Sequence, residues 1–212
     1  WDEASSRFIA AQQDNGPPLQ ADVLTLAEDH EGRLWAATDN GLWRKDAGAD
    51  HWQVFVNQAE RPASLSGNNL HGLLVDAKGV LWVSGTKGLD RLTGYTGQAP
   101  EFEHVGRKIG RPAEDVGSDL WQDRQGRIWI GAAEQALDPI TLRQSRNGLP
   151  DLGASWIGAW TSSRDGLLLY GGVQGLAIFD PARFQPWTFQ APVRVAELKI
   201  DGRAVPPGLH DG

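Results

Sequence analysis

A short phrase that recurs along the chain restricts its fold more than any other feature. Residues 29–35, 76–82 and 123–129 share the pattern Asp-x-x-Gly-x-(Leu/Ile)-Trp, and the three copies follow one another at intervals of 47 residues. A looser copy at 163–169 follows 40 residues later, with Ser in place of Asp and Leu in place of Trp. Repeats of this length are typical of supersecondary units that bury their faces only by stacking on their neighbours. The recurrence predicts a repeat array, which favours a binding surface over a catalytic pocket.

Four short runs of β-forming residues make up each repeating unit. The predicted strands are 23–27, 33–37, 41–44 and 51–56 in the first unit, 70–75, 80–84, 88–92 and 101–105 in the second, and 116–122, 127–131, 136–140 and 141–144 in the third. The fourth unit runs from 156 to 189 on the same plan. Because radial repetition hides most sheet edges, the predicted fold is all-β, a partial β-propeller of about four four-stranded blades.

The propeller is predicted to occupy residues 1–190. Residues 191–212 alternate between apolar and polar side chains but lack the repeated phrase, which indicates the start of a β-sandwich segment or a linker. Four blades are few for a closed ring, so we expect the chain to be a piece of a longer protein. The blades are expected at about 22–57, 69–106, 115–145 and 155–190, preceded at 1–12 by the outer strand of another blade.

The repeated Asp, Gly and Trp residues are predicted to have structural roles. An Asp carboxylate can accept a hydrogen bond from a backbone N–H two residues later, and Gly supplies the positive φ of a hairpin turn. The Trp ring is large enough to fill the wedge between adjacent blades. No Asp-x-Asp-x-Asp-Gly loop of a calcium site is present, so no metal is expected there. The residues with these roles are Asp29, Gly32, Trp35, Asp76, Gly79, Trp82, Asp123, Gly126, Trp129 and Gly166.

Charge and composition argue against several classes of function. The formal net charge is −7, without a cluster of basic residues, which argues against a nucleic-acid partner. The absence of Cys excludes disulfides, thiol nucleophiles and Cys-based metal sites, and no cofactor is predicted. No apolar run approaches the roughly 18 residues of a membrane span, so membrane contact is expected only through parts of the protein outside this chain.

A candidate ligand site follows from strand direction. If the Asp-to-Gly turns lie on one rim, the loops between second and third strands and the crossings between blades lie on the opposite rim. Carboxylates, amides and an aromatic ring there would suit a polyhydroxylated sugar. In the third unit Gln135 replaces the Gly found at 41, 88 and 175, so this turn is expected to differ. The candidate ligand-binding residues are Asp39, Asn40, Asn69, His71, Lys87, Asp119, Glu134, Gln135, Trp156 and Gln174.

Residues 24–42, which contain the first copy of the phrase, resemble the two-component-regulator propeller repeat. The resemblance extends with lower fidelity over roughly residues 7–190, and the segment after Ala191 is similar to the opening of the Y-Y-Y domain. It implies the periplasmic sensor region of a bacterial transmembrane receptor whose output is a histidine kinase or a diguanylate cyclase. Family members often sense glycan fragments, commonly as dimers. An oligosaccharide or other small-molecule ligand and a homodimer are therefore expected.

The sequence is also compatible with two other functions. Propellers also host lyases and hydrolases, and one group of antibiotic-cleaving lyases has a similar Gly-x-Leu-Trp rhythm. His71 is the His expected on an inner strand near the candidate rim, where it could act as a base, although no metal-ligand spacing or Gly-x-Ser-x-Gly elbow accompanies it. The second alternative is a protein-interaction scaffold that uses exposed aromatic residues at Trp1, Trp52 and Trp187.

Overall fold

Regular structure in the computed structural model is almost entirely β-strand. The structure describes residues 20–110, 120–130, 135–146, 159–185, 198–200 and 203–205. The strands are β1 (Val23–Glu28), β2 (Leu34–Thr38), β3 (Gly41–Lys45), β4 (Gln53–Phe55), β5 (Leu70–Val75), β6 (Leu81–Gly85), β7 (Gly88–Thr96), β8 (Ala99–His104), β9 (Trp121–Gln122), β10 (Ile128–Ile130), β11 (Gln135–Leu137), β12 (Gln144–Arg146), β13 (Trp160–Ser162), β14 (Leu168–Gly172), β15 (Gly175–Phe179), β16 (Leu198–Ile200) and β17 (Arg203–Val205). A short helix, α1 (Val105–Lys108), follows β8, and a 3-10 helix at Pro181–Arg183 follows β15.

Strands that are consecutive in the chain pair antiparallel and form separate small sheets. The sheets are β1-β2-β3-β4, β5-β6-β7-β8, β9-β10-β11-β12 and β13-β14-β15, and β16 pairs with β17 in a hairpin. The first four sheets are arranged as propeller blades, here numbered 1 to 4, and this confirms the predicted fold class. The outer strand predicted at 1–12 lies outside the described residues.

Each repeated Trp is buried between its own blade and the next one. Side chains alternate between the two faces of a strand, and the Trp position lies on the face that packs against the following blade. Blades 3 and 4 are also joined by aromatic contacts, since the Trp129 ring lies 5.1 Å from Phe179 and 5.2 Å from Phe184 between centroids. The three clusters contain Trp35 with Leu73 and Leu81 of blade 2, Trp82 with Leu120 and Ile128 of blade 3, and Trp129 with Leu168 of blade 4.

The hairpin between the second and third strands has the same register in blades 1, 2 and 4. The residue at the Trp position pairs with the residue nine positions later, as 35 with 44, 82 with 91 and 169 with 178. In blade 3, Trp129 pairs with Ala136, which is seven positions later. The partner of Trp129 is therefore two residues nearer in the chain than in the other blades, and the register of this hairpin is shifted by two residues. Gln135 itself begins β11 at the place where Gly41, Gly88 and Gly175 begin their strands.

Residues 138–143 form a turn where the sequence predicts strands at 136–140 and 141–144. The Asp138 carboxylate accepts hydrogen bonds from the backbone N–H groups of Ile140 and Thr141, both at 2.8 Å. The N–H of Leu142, whose φ is 56°, donates to the Asp138 carbonyl at 2.9 Å. These predicted strand boundaries are wrong because a local side-chain cap competes with strand pairing.

Candidate functional site

The Asp-to-Gly turn of blade 1 is built around the Asp29 carboxylate. Its Oδ1 accepts hydrogen bonds from the backbone N–H groups of Glu31 and Arg33, both at 3.0 Å. Its Oδ2 accepts one from the Trp35 indole Nε1 at 2.7 Å and one from the Arg33 guanidinium at 2.6 Å. Burial raises the pKa of Asp29, but the hydrogen bonds from Trp35 and Arg33 outweigh burial and hold that pKa below its usual range. The Asp29 carboxylate therefore has a structural role, because its hydrogen bonds hold the turn and the Trp35 ring.

The same arrangement recurs in blades 2 and 3. The Trp82 indole donates to Asp76 at 3.0 Å, and the Trp129 indole donates to Asp123 at 2.9 Å. Each Asp also accepts from the backbone N–H groups two and four residues later. In blade 4, Ser163 accepts from one of the corresponding N–H groups, that of Leu167, at 2.9 Å. Blade 4 therefore lacks both halves of the indole–carboxylate pair, since Leu169 stands at the Trp position.

The Asp-to-Gly turns of neighbouring blades touch one another along one rim. A Cβ at Gly79 would lie 3.0 Å from the His30 ring, so the two turns are in close contact. The Ala77 N–H donates to the Gln122 side chain at 2.6 Å, and the Arg124 guanidinium donates to the Arg164 carbonyl at 2.7 Å. These bonds link blade 2 to blade 3 and blade 3 to blade 4. We call this the turn rim.

The loops that were predicted to carry a ligand site lie on the opposite rim. The Gly41 N–H donates to the Asn68 carbonyl at 2.7 Å, and the Thr86 N–H donates to the Asn69 carbonyl at 3.1 Å. The segment that crosses from blade 1 to blade 2, residues 56–69, is thereby held beside the hairpin loops of both blades. We call this the loop rim.

The structure brings together the candidates from blades 1 and 2. Asn69 and Lys87 are exposed, and Lys87 lies over Gly67, where a Cβ would come within 2.8 Å of the Lys87 Cβ. Asp39 is exposed too, but its Oδ1 accepts the Asp22 N–H at 3.0 Å and so holds the start of blade 1. Asn40 is exposed in the same hairpin, and its N–H donates to Thr38.

The other candidates are placed apart or lie outside the described residues. His71 is half-buried on β5, and its carbonyl accepts the Thr25 hydroxyl of blade 1 at 2.7 Å. Gln174 is exposed in the β14–β15 hairpin of blade 4, and Gln135 begins β11. The candidates outside the described residues are Asp119, Glu134 and Trp156.

A polar clasp around the buried Asp90 carboxylate, which sequence reasoning missed, anchors the crossing segment to blade 2. The Asp90 Oδ2 accepts the backbone N–H and the hydroxyl of Ser66, both at 2.8 Å. The Asp90 Oδ1 lies 2.8 Å from His104 Nδ1, and His104 Nε2 lies 2.8 Å from the Pro62 carbonyl oxygen. Both ring nitrogens of His104 face acceptors, so the clasp is complete only when the ring is protonated.

Electrostatics agree with that geometry. The hydrogen bond to Asp90 raises the pKa of His104, against the opposing effects of burial and of the Arg107 charge. Ser66 binds the carboxylate and not the imidazole, so the arrangement differs from that of a nucleophile activated by a base. The clasp therefore fixes the position of the loop that presents Asn68 and Asn69.

Metal-binding groups and membrane-spanning helices are both absent from the part of the chain that the structure describes. No three His, Asp or Glu side chains in that part come together as a group that could hold a metal ion. No helix there is long and apolar enough to cross a membrane.

Residues 18–40 match the family model described as the two component regulator propeller. The matched segment contains the first copy of the repeated phrase, so the resemblance seen in the sequence is confirmed there. The match does not include the segment after Ala191, where the opening of a Y-Y-Y domain is predicted. No curated protein matches the chain at a significant level.

Solved structures with a similar fold include two extracellular domains from B. thetaiotaomicron and one lyase. The extracellular domain of BT4673, assigned as a hybrid two component system, has a TM-score of 0.61 at 19 % identity over 77 % of this chain and 23 % of that chain. That of BT3049, assigned in the same way, has a TM-score of 0.58 at 15 % identity over 97 % and 35 %. Catalytically inactive virginiamycin B lyase from Staphylococcus aureus, with quinupristin, has a TM-score of 0.51 at 11 % identity over 77 % and 57 %. The chain thus spans less than two thirds of each of them, and the likeness shows the fold.

Proposed function

We propose that this chain, which carries a two component regulator propeller repeat at residues 18–40, is a ligand-sensing region of an extracytoplasmic bacterial receptor. The region is non-catalytic and faces the periplasm, and its ligand is an oligosaccharide fragment. The likeness to extracellular domains of two component systems supports the assignment to a receptor. Kinase or cyclase output belongs to other parts of such a protein.

The observation that carries the proposal is the difference between the two rims. On the turn rim the repeated carboxylates are buried and saturated with hydrogen bonds. On the loop rim, amide, carboxylate and ammonium groups are exposed on loops of two blades that are joined by backbone hydrogen bonds, at Asn40, Asn69, Asp39 and Lys87. Sugars are bound through such groups by hydrogen bonds to their hydroxyls. The clasp at Asp90 holds this surface in place before a ligand arrives, which lowers the entropic cost of binding.

Thermal-shift screening of the 212-residue chain against defined oligosaccharides tests the proposal. A ligand that binds only the folded state stabilises it by about 2.7 kcal/mol at a concentration of about 100 times the dissociation constant. Lys87→Gln should weaken the response, whereas Lys78→Gln, an equal change at an exposed residue of the turn rim, should leave it unchanged. The absence of any shift, or equal effects of the two substitutions, would contradict the proposal.

A catalytic role is the second candidate, because the lyase shares the fold with a TM-score of 0.51. His71, which the sequence analysis names as the candidate base, is half-buried on β5. Turnover of a screened compound that His71→Ala abolishes, with the binding response retained, would favour this candidate over a sensor.

A further inference from the structure

The proton on His104 decides whether the clasp at Asp90 holds both of its ends. In the closed clasp the ring meets the Asp90 carboxylate through Nδ1 and the Pro62 carbonyl through Nε2, each at 2.8 Å. A protonated imidazole donates from both nitrogens, whereas a neutral one donates from only one. The neutral ring keeps its hydrogen toward the carboxylate, which is the stronger acceptor. Its Nε2 lone pair then faces the Pro62 carbonyl oxygen, and this contact is lost with the proton.

Loss of the proton also leaves the Asp90 carboxylate buried without its charged partner. The side chains of Asp90 and His104 are 2 % and 15 % exposed. The other donors to this carboxylate, the backbone N–H and the hydroxyl of Ser66, are neutral. A buried charge that loses its counter-charge is strongly destabilised. Opening the contact with Ser66 admits water to the carboxylate and so lowers this cost.

The other charged groups described around the ring do not replace this partner. The Arg107 charge on α1 opposes protonation, and the hydrogen bond to Asp90 outweighs both Arg107 and burial, so the pKa of His104 is raised. The remaining charged groups nearby are bound to other partners: Glu103 pairs with Arg91 and Lys108, and Arg61 donates to Gln58 and to the Pro100 carbonyl. The closed clasp itself therefore holds the proton on His104.

The clasp fixes the part of the crossing segment that leads into the loop rim. Ser66 is followed two and three residues later by Asn68 and Asn69, whose carbonyls accept the N–H groups of Gly41 and Thr86 at 2.7 Å and 3.1 Å. These two bonds hold the hairpin loops of blades 1 and 2 against the crossing segment. Movement at Ser66 therefore reaches both hairpin loops.

We propose that the clasp is a pH switch, closed while His104 is protonated and opened at Pro62 and Ser66 when the ring is neutral. Opening releases the segment that carries Asn68 and Asn69, and the loop rim loosens. The closed form binds the proton more tightly, so closure is most stable below about pH 6.5, the ordinary His value, and is lost as pH rises through the raised pKa of the closed form. Ligand affinity should fall over the same interval, a consequence that rests on the proposed function.

Amide hydrogen exchange of the ligand-free chain, followed by NMR at a series of pH values, tests the switch directly. After correction for the intrinsic pH dependence of exchange, the protection factor of the Ser66 N–H should fall by up to about tenfold per pH unit above about pH 6.5. The protection factors of the Gly41 and Thr86 N–H groups should fall with it. The Asp76 N–H, which donates to the Val80 carbonyl on the turn rim of the same blade, should keep a constant protection factor.

Two histidine variants assign the effect to the clasp. His104→Gln removes the titrating ring, so the protection of Ser66 should be low and independent of pH. His51→Gln, a matched change at an exposed residue before β4, should keep the wild-type profile.

A pH-independent protection factor of Ser66 in the wild type would overturn the proposal, as would a wild-type profile in a folded His104→Gln variant. A parallel fall at Asp76 would assign the effect to global unfolding and would overturn it too. The wild-type profile decides the matter even if His104→Gln does not fold. Because no sugar is present, a failed search for a sugar ligand leaves this test unaffected, and a negative result here does not contradict sensing.

Discussion

Trp82 and Asp76 offer the sharpest test of how the blades are held together. The Trp82 ring is completely buried, and its Nε1 donates to the Asp76 carboxylate at 3.0 Å. Replacing the ring by Leu should cost about 3 kcal/mol of unfolding free energy, because truncation of a buried aromatic residue leaves a cavity. Replacing Asp76 by Ser keeps a backbone cap of the kind that Ser163 makes, but it removes a hydrogen bond to a charged group, worth about 2 kcal/mol.

The double variant Asp76→Ser with Trp82→Leu recreates the pair that blade 4 has at 163 and 169. Each single change leaves a buried polar group without its partner, and the double change removes both groups together. We therefore expect the double variant to be less destabilised than the sum of the singles by about 1–2 kcal/mol. Urea unfolding followed by far-ultraviolet circular dichroism gives the free energy of unfolding of the wild type, the two single variants and the double variant. This measurement does not rely on tryptophan fluorescence.

A control cycle combines Asp29→Ser with Trp82→Leu. Asp29 binds the Trp35 indole of blade 1 and makes no hydrogen bond to Trp82. Its effect should add to that of Trp82→Leu within about 0.5 kcal/mol. Additivity in the Asp76 cycle, or equal coupling in both cycles, would refute the reasoning.

Two further predictions concern the loop rim and the clasp at Asp90. Gly41→Ala should lower the free energy of unfolding by about 2 kcal/mol, since a Cβ there would lie 2.5 Å from the Phe55 carbonyl oxygen. Gly88→Ala is the matched change at the same repeat position, where no atom lies within 4 Å of the added Cβ, and it should cost about 1 kcal/mol. Thermal or urea unfolding measures both costs. The pKa of His104 is raised by Asp90, so the stabilisation from their pair should be complete below about pH 6.5, the unfolded value, and should be lost as pH rises through the folded pKa. His104→Gln should flatten the decline in urea midpoint across that range, and an unchanged slope would contradict the assignment.

The number and positions of the blades were predictable from the sequence because each blade repeats the same turn residues. The turn glycines at 32, 79, 126 and 166 all have positive φ, and the phrase interval marks the blades. The hydrogen bond from Trp to Asp was not predicted, since it joins residues six apart across a bend between strands. A signal was nevertheless present: the one copy of the phrase that loses Trp also loses Asp.

The clasp at Asp90 was harder to predict because its members come from three separate segments. Ser66 and His104 lie 24 and 14 residues from Asp90 and belong to no repeat. The available signal was a carboxylate at a repeat position where the neighbouring units have Trp43 and Leu137. The ligand contacts stay predictions, since they depend on loops that differ from blade to blade.

Hydrogen exchange of the tryptophan indole protons tests the central claim most directly, namely that buried Asp–Trp pairs lock each blade to the next. Nitrogen-edited NMR, with assignments from single Trp→Phe variants, resolves the indole N–H of Trp35, Trp82 and Trp129. The account predicts that these three protons exchange slowly, because each is buried and donates to a carboxylate. Exchange of these protons as fast as that of a solvent-exposed indole would contradict it.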